Sequence, residues 1–263
     1  MEIFNDPTQD VLGNTQLLLN DSALKELSTK WLERAITNRY LYNFTWLGRP
    51  IIQLPQDIYA LQEIFWEVKP DLVIETGVAH GGTLALFSSL LRLLDVSDCI
   101  QSGQNYNPSK PSRLTIGIDI EIRQKNRELI LQHPLLNNVY LIEGDSKSES
   151  VLNTVKAKAG NFDKVLVVLD SNHTKDHVRA ELDLYSKFVS TNSYIIVMDT
   201  FVEELSEHIW GDKDYRHGNN PKVACEEFLK LNPDFQVNHL IDGKLLLSSS
   251  PGGFLRRKTL NDL

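Results

Sequence analysis

Five short apolar runs, each closed by an acidic residue and separated from the next by helical periodicity, constrain this chain more than any other feature. They cover residues 72–75, 114–119, 139–143, 164–170 and 194–199, and end in Glu75, Asp119, Glu143, Asp170 and Asp199. Runs this apolar suit strands buried on both faces. Strands alternating with helices form a mostly parallel sheet joined by right-handed crossovers, with helices on both faces. The expected fold is therefore α/β. A helix over 222–231 and two more strands, over 235–239 and 244–248, bring the sheet to seven.

The 263 residues are 41 % hydrophobic and 24 % charged, ordinary for one globular α/β domain with an extension. Residues 1–65 read as a helical N-terminal extension. Asp21 and Ser22 cap a helix with Leu24, Leu27, Trp31 and Leu32 on one face, and Pro55 opens another over 56–68. Between them lie Tyr40, Tyr42, Phe44 and Trp46, an aromatic segment suited to core packing or to another subunit of a homo-oligomer. The net charge of -8 argues against a nucleic-acid partner, and Arg256, Arg257 and Lys258 read as a short solvated tail. Cys99 and Cys225 lack a Cys-x-x-Cys partner, which points to a reducing compartment. Met1 to Asp10 carries three acids and no basic residue, unlike a signal peptide, and no apolar run approaches the ~18 residues of a membrane span. A cytoplasmic protein without a membrane partner is expected.

The first run passes straight into a glycine loop, Glu75-Thr76-Gly77-Val78-Ala79-His80-Gly81-Gly82, with an apolar helix over 83–94 behind it. The spacing is neither the dinucleotide fingerprint nor a P-loop. A nucleoside ligand without pyrophosphate fits better, at a helix N-terminus and with Glu75 accepting hydrogen bonds. Asp119 offers two oxygens to two ribose hydroxyls. Gly144-Asp145-Ser146 supplies a turn and an acid for an adenine edge.

At the fourth and fifth run ends, Asp170 and Asp199 become neighbours, and with the Thr200 hydroxyl or the Asn172 amide they make an oxygen site for Mg²⁺ or Ca²⁺. His173, three residues past Asp170, is placed to act as a general base. A zinc pair of His173 and His177 lacks the Glu of the His-Glu-x-x-His motif. The polar stretch 201–220, with Trp210, Tyr215, His217 and Gly218, reads as a lid over the acceptor.

These motifs in this order resemble class I S-adenosylmethionine-dependent methyltransferases, and more closely the cephalosporin hydroxylase/rhamnosyl O-methyltransferase (CmcI-like) family. The resemblance runs from Gly48-Arg-Pro-Ile-Ile-Gln-Leu-Pro-Gln-Asp57 through Ile74 to Gly82 and Gly117 to Arg123, then to Asn219-Asn-Pro221 and Gly253-Phe-Leu-Arg256. It implies a Rossmann-like seven-stranded methyltransferase domain over 66–263 and S-adenosylmethionine held by Glu75, Thr76, Gly77, Ala79, Gly81, Gly82, Asp119, Ile120, Gly144, Asp145, Ser146 and Asp170. It also implies Mg²⁺ on Asp170, Asp199 and Thr200, His173 as base with Asp170 beside it, and a saccharide or small-molecule hydroxyl as acceptor. Met198 stands where sugar methyltransferases place a Glu ligand. Two other readings follow from the same residues: an oxygenase using Asp170, His173 and His177, and a cofactor-binding protein inactive through Met198.

Overall fold

The computed structural model describes residues 10–259; the expectation for Met1 to Asp10 lies, up to residue 9, outside them. Chain order begins with α1 (Val11–Asn20) and α2 (Ser22–Thr37), then the hairpin β1 (Phe44–Trp46) and β2 (Arg49–Ile51), then α3 (Pro55–Val68). The alternating part follows as β3 (Leu72–Thr76), α4 (Gly82–Ser102), β4 (Leu114–Asp119), α5 (Gln124–Leu131), β5 (Val139–Glu143), α6 (Glu149–Ala159), β6 (Val165–Leu169), α7 (Lys175–Tyr185) and β7 (Tyr194–Val197). The chain closes with α8 (Pro221–Leu231), β8 (Phe235–Val237), α9 (His239–Leu245) and β9 (Phe254–Arg257).

Seven strands form one sheet in the order β5-β4-β3-β6-β7-β9-β8. Strands β3 to β7 are parallel, and β9 runs antiparallel between β7 and β8. The order reverses at β3, which pairs with β4 on one side and β6 on the other, so a crevice opens beyond the carboxyl ends of these strands. Every residue of β3 and β6 is buried, as suits the apolar run of β6 and the first three residues of β3, and in β3 this burial extends to Glu75 and Thr76. Alternate side chains feed two cores. Ile74 and Val167 pack with Val155, Leu182 and Phe228 of α6, α7 and α8, while Val73 and Val168 pack with Leu61, Phe65, Phe87 and Leu91 of α3 and α4. Among the described residues no helix is long and apolar enough to cross a membrane, and both cysteines are free.

Three local expectations need correction. Residues 244–248 form no strand: Asn238 caps α9 by accepting from the Leu240 amide, and Ser248, Ser249 and Ser250 turn inward to other partners. The seventh strand is β9, taken from the segment read as a solvated tail, with Phe254 and Leu255 fully buried and Arg257 donating to the Val189 carbonyl. In α2 the Asp21 cap forms as expected, but Ser28 and Leu32 face inward, whereas Leu27 and Trp31 are exposed. The extension also holds the β1–β2 hairpin, and α3 runs across residue 65 into the core of the sheet.

Stretch 201–220 is a packed wall rather than a loose connection. Phe201, Val202, Leu205 and Trp210 are buried with Leu32, Leu41 and Leu54. His217 bonds the Leu205 carbonyl, and Asn220 caps α8.

Gly77 fixes the distance between the β3 loop and the end of β6. Its φ is +93°, and a Cβ there would lie 2.0 Å from the Asp170 carbonyl oxygen. Gly77→Ala is expected to destabilise the fold by about 2 kcal/mol or more, read as a lower midpoint in urea.

Candidate active site

The acids that end the strands fall into different surroundings. Glu75 is fully buried near the end of β3, and neither of its oxygens has a hydrogen-bond partner among the described residues. Burial pushes its pKa up to about 8, with the Asp119 charge adding and the Thr83 side chain opposing. The Thr76 hydroxyl is likewise buried and unpartnered. Asp119, at the end of β4, accepts through one oxygen from the Val78 and Ala79 amides at 2.8 and 3.1 Å, so it clamps the glycine loop. Its other oxygen receives the Glu121 amide at 3.3 Å. Glu143 leaves the group, pairing with Arg127 at 2.7 Å on the protein surface.

A cavity of about 340 Å³ lies over this region, walled by Gly77, Ala79, Asp119, Ile120, Gly144, Asp145, Ser146 and Asp170. Tyr185 braces its floor by donating to the Ser146 carbonyl at 2.7 Å. Of the other residues expected at a cofactor, Glu75 and Thr76 are buried off its walls. Gly82 lines a neighbouring cavity and Gly81 lines neither. Gly82 has a packing role as well, because a Cβ there would lie 2.2 Å from the Pro50 carbonyl oxygen.

The second cavity, about 290 Å³, shares Gly77, Ala79, Asp170 and Ser171 with the first. Its polar centre is Asp170, His173 and Asp199, whose ligand atoms all lie within 4.8 Å of one another. His173 Nε2 is 3.3 Å from Asp199 Oδ2, and its ring meets Tyr215 edge-on at 5.1 Å. Asp199 itself holds a left-handed backbone, φ 57°, which is strained for a residue with a Cβ. Burial, then the charges of Asp199, Glu75 and Glu181, hold the Asp170 carboxyl well above the usual range. Asp199 is also raised by burial, with His173 opposing. Two raised carboxyls and an imidazole in this space are a donor set that a hard cation would stabilise.

Two expected ligands are turned elsewhere. Thr200 is fully buried and donates to the Pro251 carbonyl at 2.9 Å, and the Asn172 oxygen accepts from Thr174. Met198 points to the opposite face of the sheet, inside the α3–α4 core, where the Ser250 hydroxyl meets its sulfur at 3.4 Å. His177 does not join His173: it sits 3.3 Å from Glu181 and 3.2 Å from the Ser171 hydroxyl.

Residues from the hairpin, its connection to α3 and the first turn of α3 support the site, and sequence reasoning assigned them no role. Buried Arg49 donates to the His80 carbonyl, which fixes the outer turn of the glycine loop. Gln53, 3 % exposed, donates to Asp170 at 3.2 Å. Asp57 accepts from Ser248 and from the Ser249 amide and hydroxyl, and burial still pushes it up to about 6. The signal that could have found them is the run Gly48 to Asp57, polar residues spaced among prolines and isoleucines.

A family model described as rhamnosyl O-methyltransferase/CmcI matches residues 38–258. The chain belongs to this family. The rhamnosyl O-methyltransferase of Mycobacterium leprae (strain TN) is 24 % identical over 216 residues, 81 % of this chain and 83 % of its own. The rhamnosyl O-methyltransferase of Mycobacterium bovis (strain BCG / Pasteur 1173P2) is 25 % identical over 217 residues, 81 % of this chain and 78 % of its own. The apo-structure of CmcI matches with a TM-score of 0.51 at 19 % identity, over 83 % of this chain and 77 % of that one. A CmcI structure with Mg and SAM matches with a TM-score of 0.51 at 18 % identity, over 83 % and 78 %. At these identities the solved structures establish a shared fold. The rhamnosyl O-methyltransferase/CmcI match spans the hairpin, the whole sheet and the wall at 201–220.

Glu75 gives the site a measurable signature. With a folded pKa near 8 against an ordinary 4.5, this group favours the folded state most below about pH 4.5, and that contribution is lost as pH rises towards 8. Glu75→Gln is expected to melt higher than the parent protein at pH 8, with the difference vanishing near pH 4.5, in thermal scans across that range.

Proposed function

We infer that this protein is an S-adenosylmethionine-dependent, Mg²⁺-dependent O-methyltransferase acting on a hydroxyl of a saccharide or another small natural product. The observation that carries this reading is the pair of cavities meeting at Gly77 and Asp170, one floored by strand-end acids and the other centred on Asp170, His173 and Asp199. The family and its named rhamnosyl O-methyltransferases support the same activity.

The residues fit both groups. The first cavity has the glycine cradle and the acids Asp119 and Asp145 for an adenosine. Asp170 and Asp199 would hold the metal, without Thr200 or Met198. When bound, S-adenosylmethionine supplies the electrophilic methyl group and Mg²⁺ lowers the pKa of the acceptor hydroxyl. His173 takes the hydroxyl proton on Nε2 as the oxygen–carbon bond forms and the sulfur–carbon bond breaks. Asp199, 3.3 Å away, stabilises the imidazolium that results. Gln53 keeps Asp170 turned towards the cavity, and Phe201, Trp210 and Tyr215 keep water from the acceptor side.

His173→Ala is expected to lower kcat by a factor of ~10² to 10⁴, typical of a general base, with S-adenosylmethionine affinity unchanged by calorimetry. Retained Mn²⁺ binding in that variant, followed by electron paramagnetic resonance, separates a base from a metal ligand. Asp199→Asn and a chelator are both expected to abolish turnover, and added Mg²⁺ to restore it only in the chelated parent. Cofactor binding without methyl transfer to any hydroxyl across a sugar and phenol panel would overturn the reading.

A further inference from the structure

A third cavity, about 920 Å³, adjoins the acceptor cavity, and Ile36, Tyr42, Trp210 and Tyr215 wall both. Its far walls carry Arg34 and Arg39, from α2 and the turn after it, together with His208 and Lys213 from the packed wall. Four basic side chains from two distant segments thus converge on one cleft in a chain of net charge -8. Among the described residues, none of the Arg34, Arg39 and Lys213 side chains has a carboxylate partner, unlike Arg113, Arg127, Arg179 and Arg257. Glu33 is the one acid on these walls, and it is engaged by the Ser206 amide and hydroxyl, which hold it below the usual carboxylate range. Asp212 and Asp214 flank Lys213 in sequence but stay off the walls.

Three unpaired cations gathered around one carboxylate, Glu33, which already interacts with His208, leave an excess of positive charge, and an anion bound among them reduces their mutual repulsion. The cleft is also close to the chemistry. Tyr215 touches His173 at 5.1 Å on the catalytic side, and the Lys213 ammonium lies 6.0 Å from the same ring. An acceptor lying against Tyr215 with its hydroxyl at His173 would place a substituent about one sugar ring away among the cations. The acids at the catalytic centre make this separation necessary, because an anionic acceptor needs a cationic anchor away from Asp170 and Asp199.

Building on the methyltransferase reading, we propose that the acceptor is anionic, carrying a phosphate or carboxylate group that this cleft holds while a hydroxyl is methylated. The anion comes either from a sugar phosphate or from an acidic sugar, and matched acceptors distinguish them. The experiment compares a hexose 1-phosphate, a hexuronate and the neutral methyl hexoside, for the parent protein and for Arg34→Ala, Arg39→Ala and Lys213→Glu. All three positions are solvent-exposed, and thermal scans check that the variants fold. The expected result is a KM at least ~10-fold lower for one of the charged acceptors than for the neutral one. The variants should raise that KM about 10-fold, with kcat and the neutral acceptor's KM unchanged, and the preference should fade between low and high salt. Equal KM values for all three acceptors, or a charged-acceptor KM that ignores the variants, would overturn the proposal while leaving the methyltransferase reading intact. If no acceptor is methylated, calorimetry with inorganic pyrophosphate decides the cleft on its own. Binding that the variants weaken supports the anion site, and binding they do not alter, or none, removes it.

Discussion

Four carboxyl groups, Asp57, Glu75, Asp170 and Asp199, are crowded at one edge of the sheet in surroundings that disfavour their ionised forms. Much of the surrounding structure is organised by the need to compensate them. The C-terminal Ser248-Ser249-Ser250 turn supplies donors to Asp57, the connection after β2 supplies Gln53 to Asp170, and His173 answers Asp199. Glu75 has only the Thr83 side chain to oppose its burial, and Asp170 and Asp199 still lack enough positive charge. Those deficits describe what the ligands must bring: hydrogen-bond donors on one side and a cation on the other.

The central strand β3 was legible because burial on both faces favours a run of apolar residues. Strand β4 and the edge strand β5 stood out as short β-branched and apolar runs at 114–119 and 139–143, although β5 itself is only partly buried. The fourth and fifth runs each extended past the strand, because Asp170 and Asp199 belong to the loops that leave it. The C-terminal region was not legible in the same way. A four-residue strand such as β9 shows too little alternation, and its Arg256 and Arg257 read as solvated. The apolar Leu245-Leu246-Leu247 read as a strand, although Asn238 had already started a helix.

At the site, the positions at strand ends could be located from sequence, whereas the contacts could not. Arg49, Gln53 and Asp57 act on His80, Asp170 and Ser249, partners brought close only by the folded chain. Met198 and Asp199 show the same limit from the other direction. They are adjacent in sequence, yet one faces the core and the other the cavity, so a carboxylate at position 198 in this backbone would have to leave an apolar cluster to reach that cavity.

The contact between Gly77 and the Asp170 carbonyl makes one wall serve both cavities. A change there alters both cavities together. The opposite side of the second cavity, built from α2 and residues 201–215, shares none of its residues with the first cavity. Lineages descended from such a scaffold are therefore free to explore new acceptors by redrawing that surface alone, while the machinery that handles the methyl donor is inherited intact.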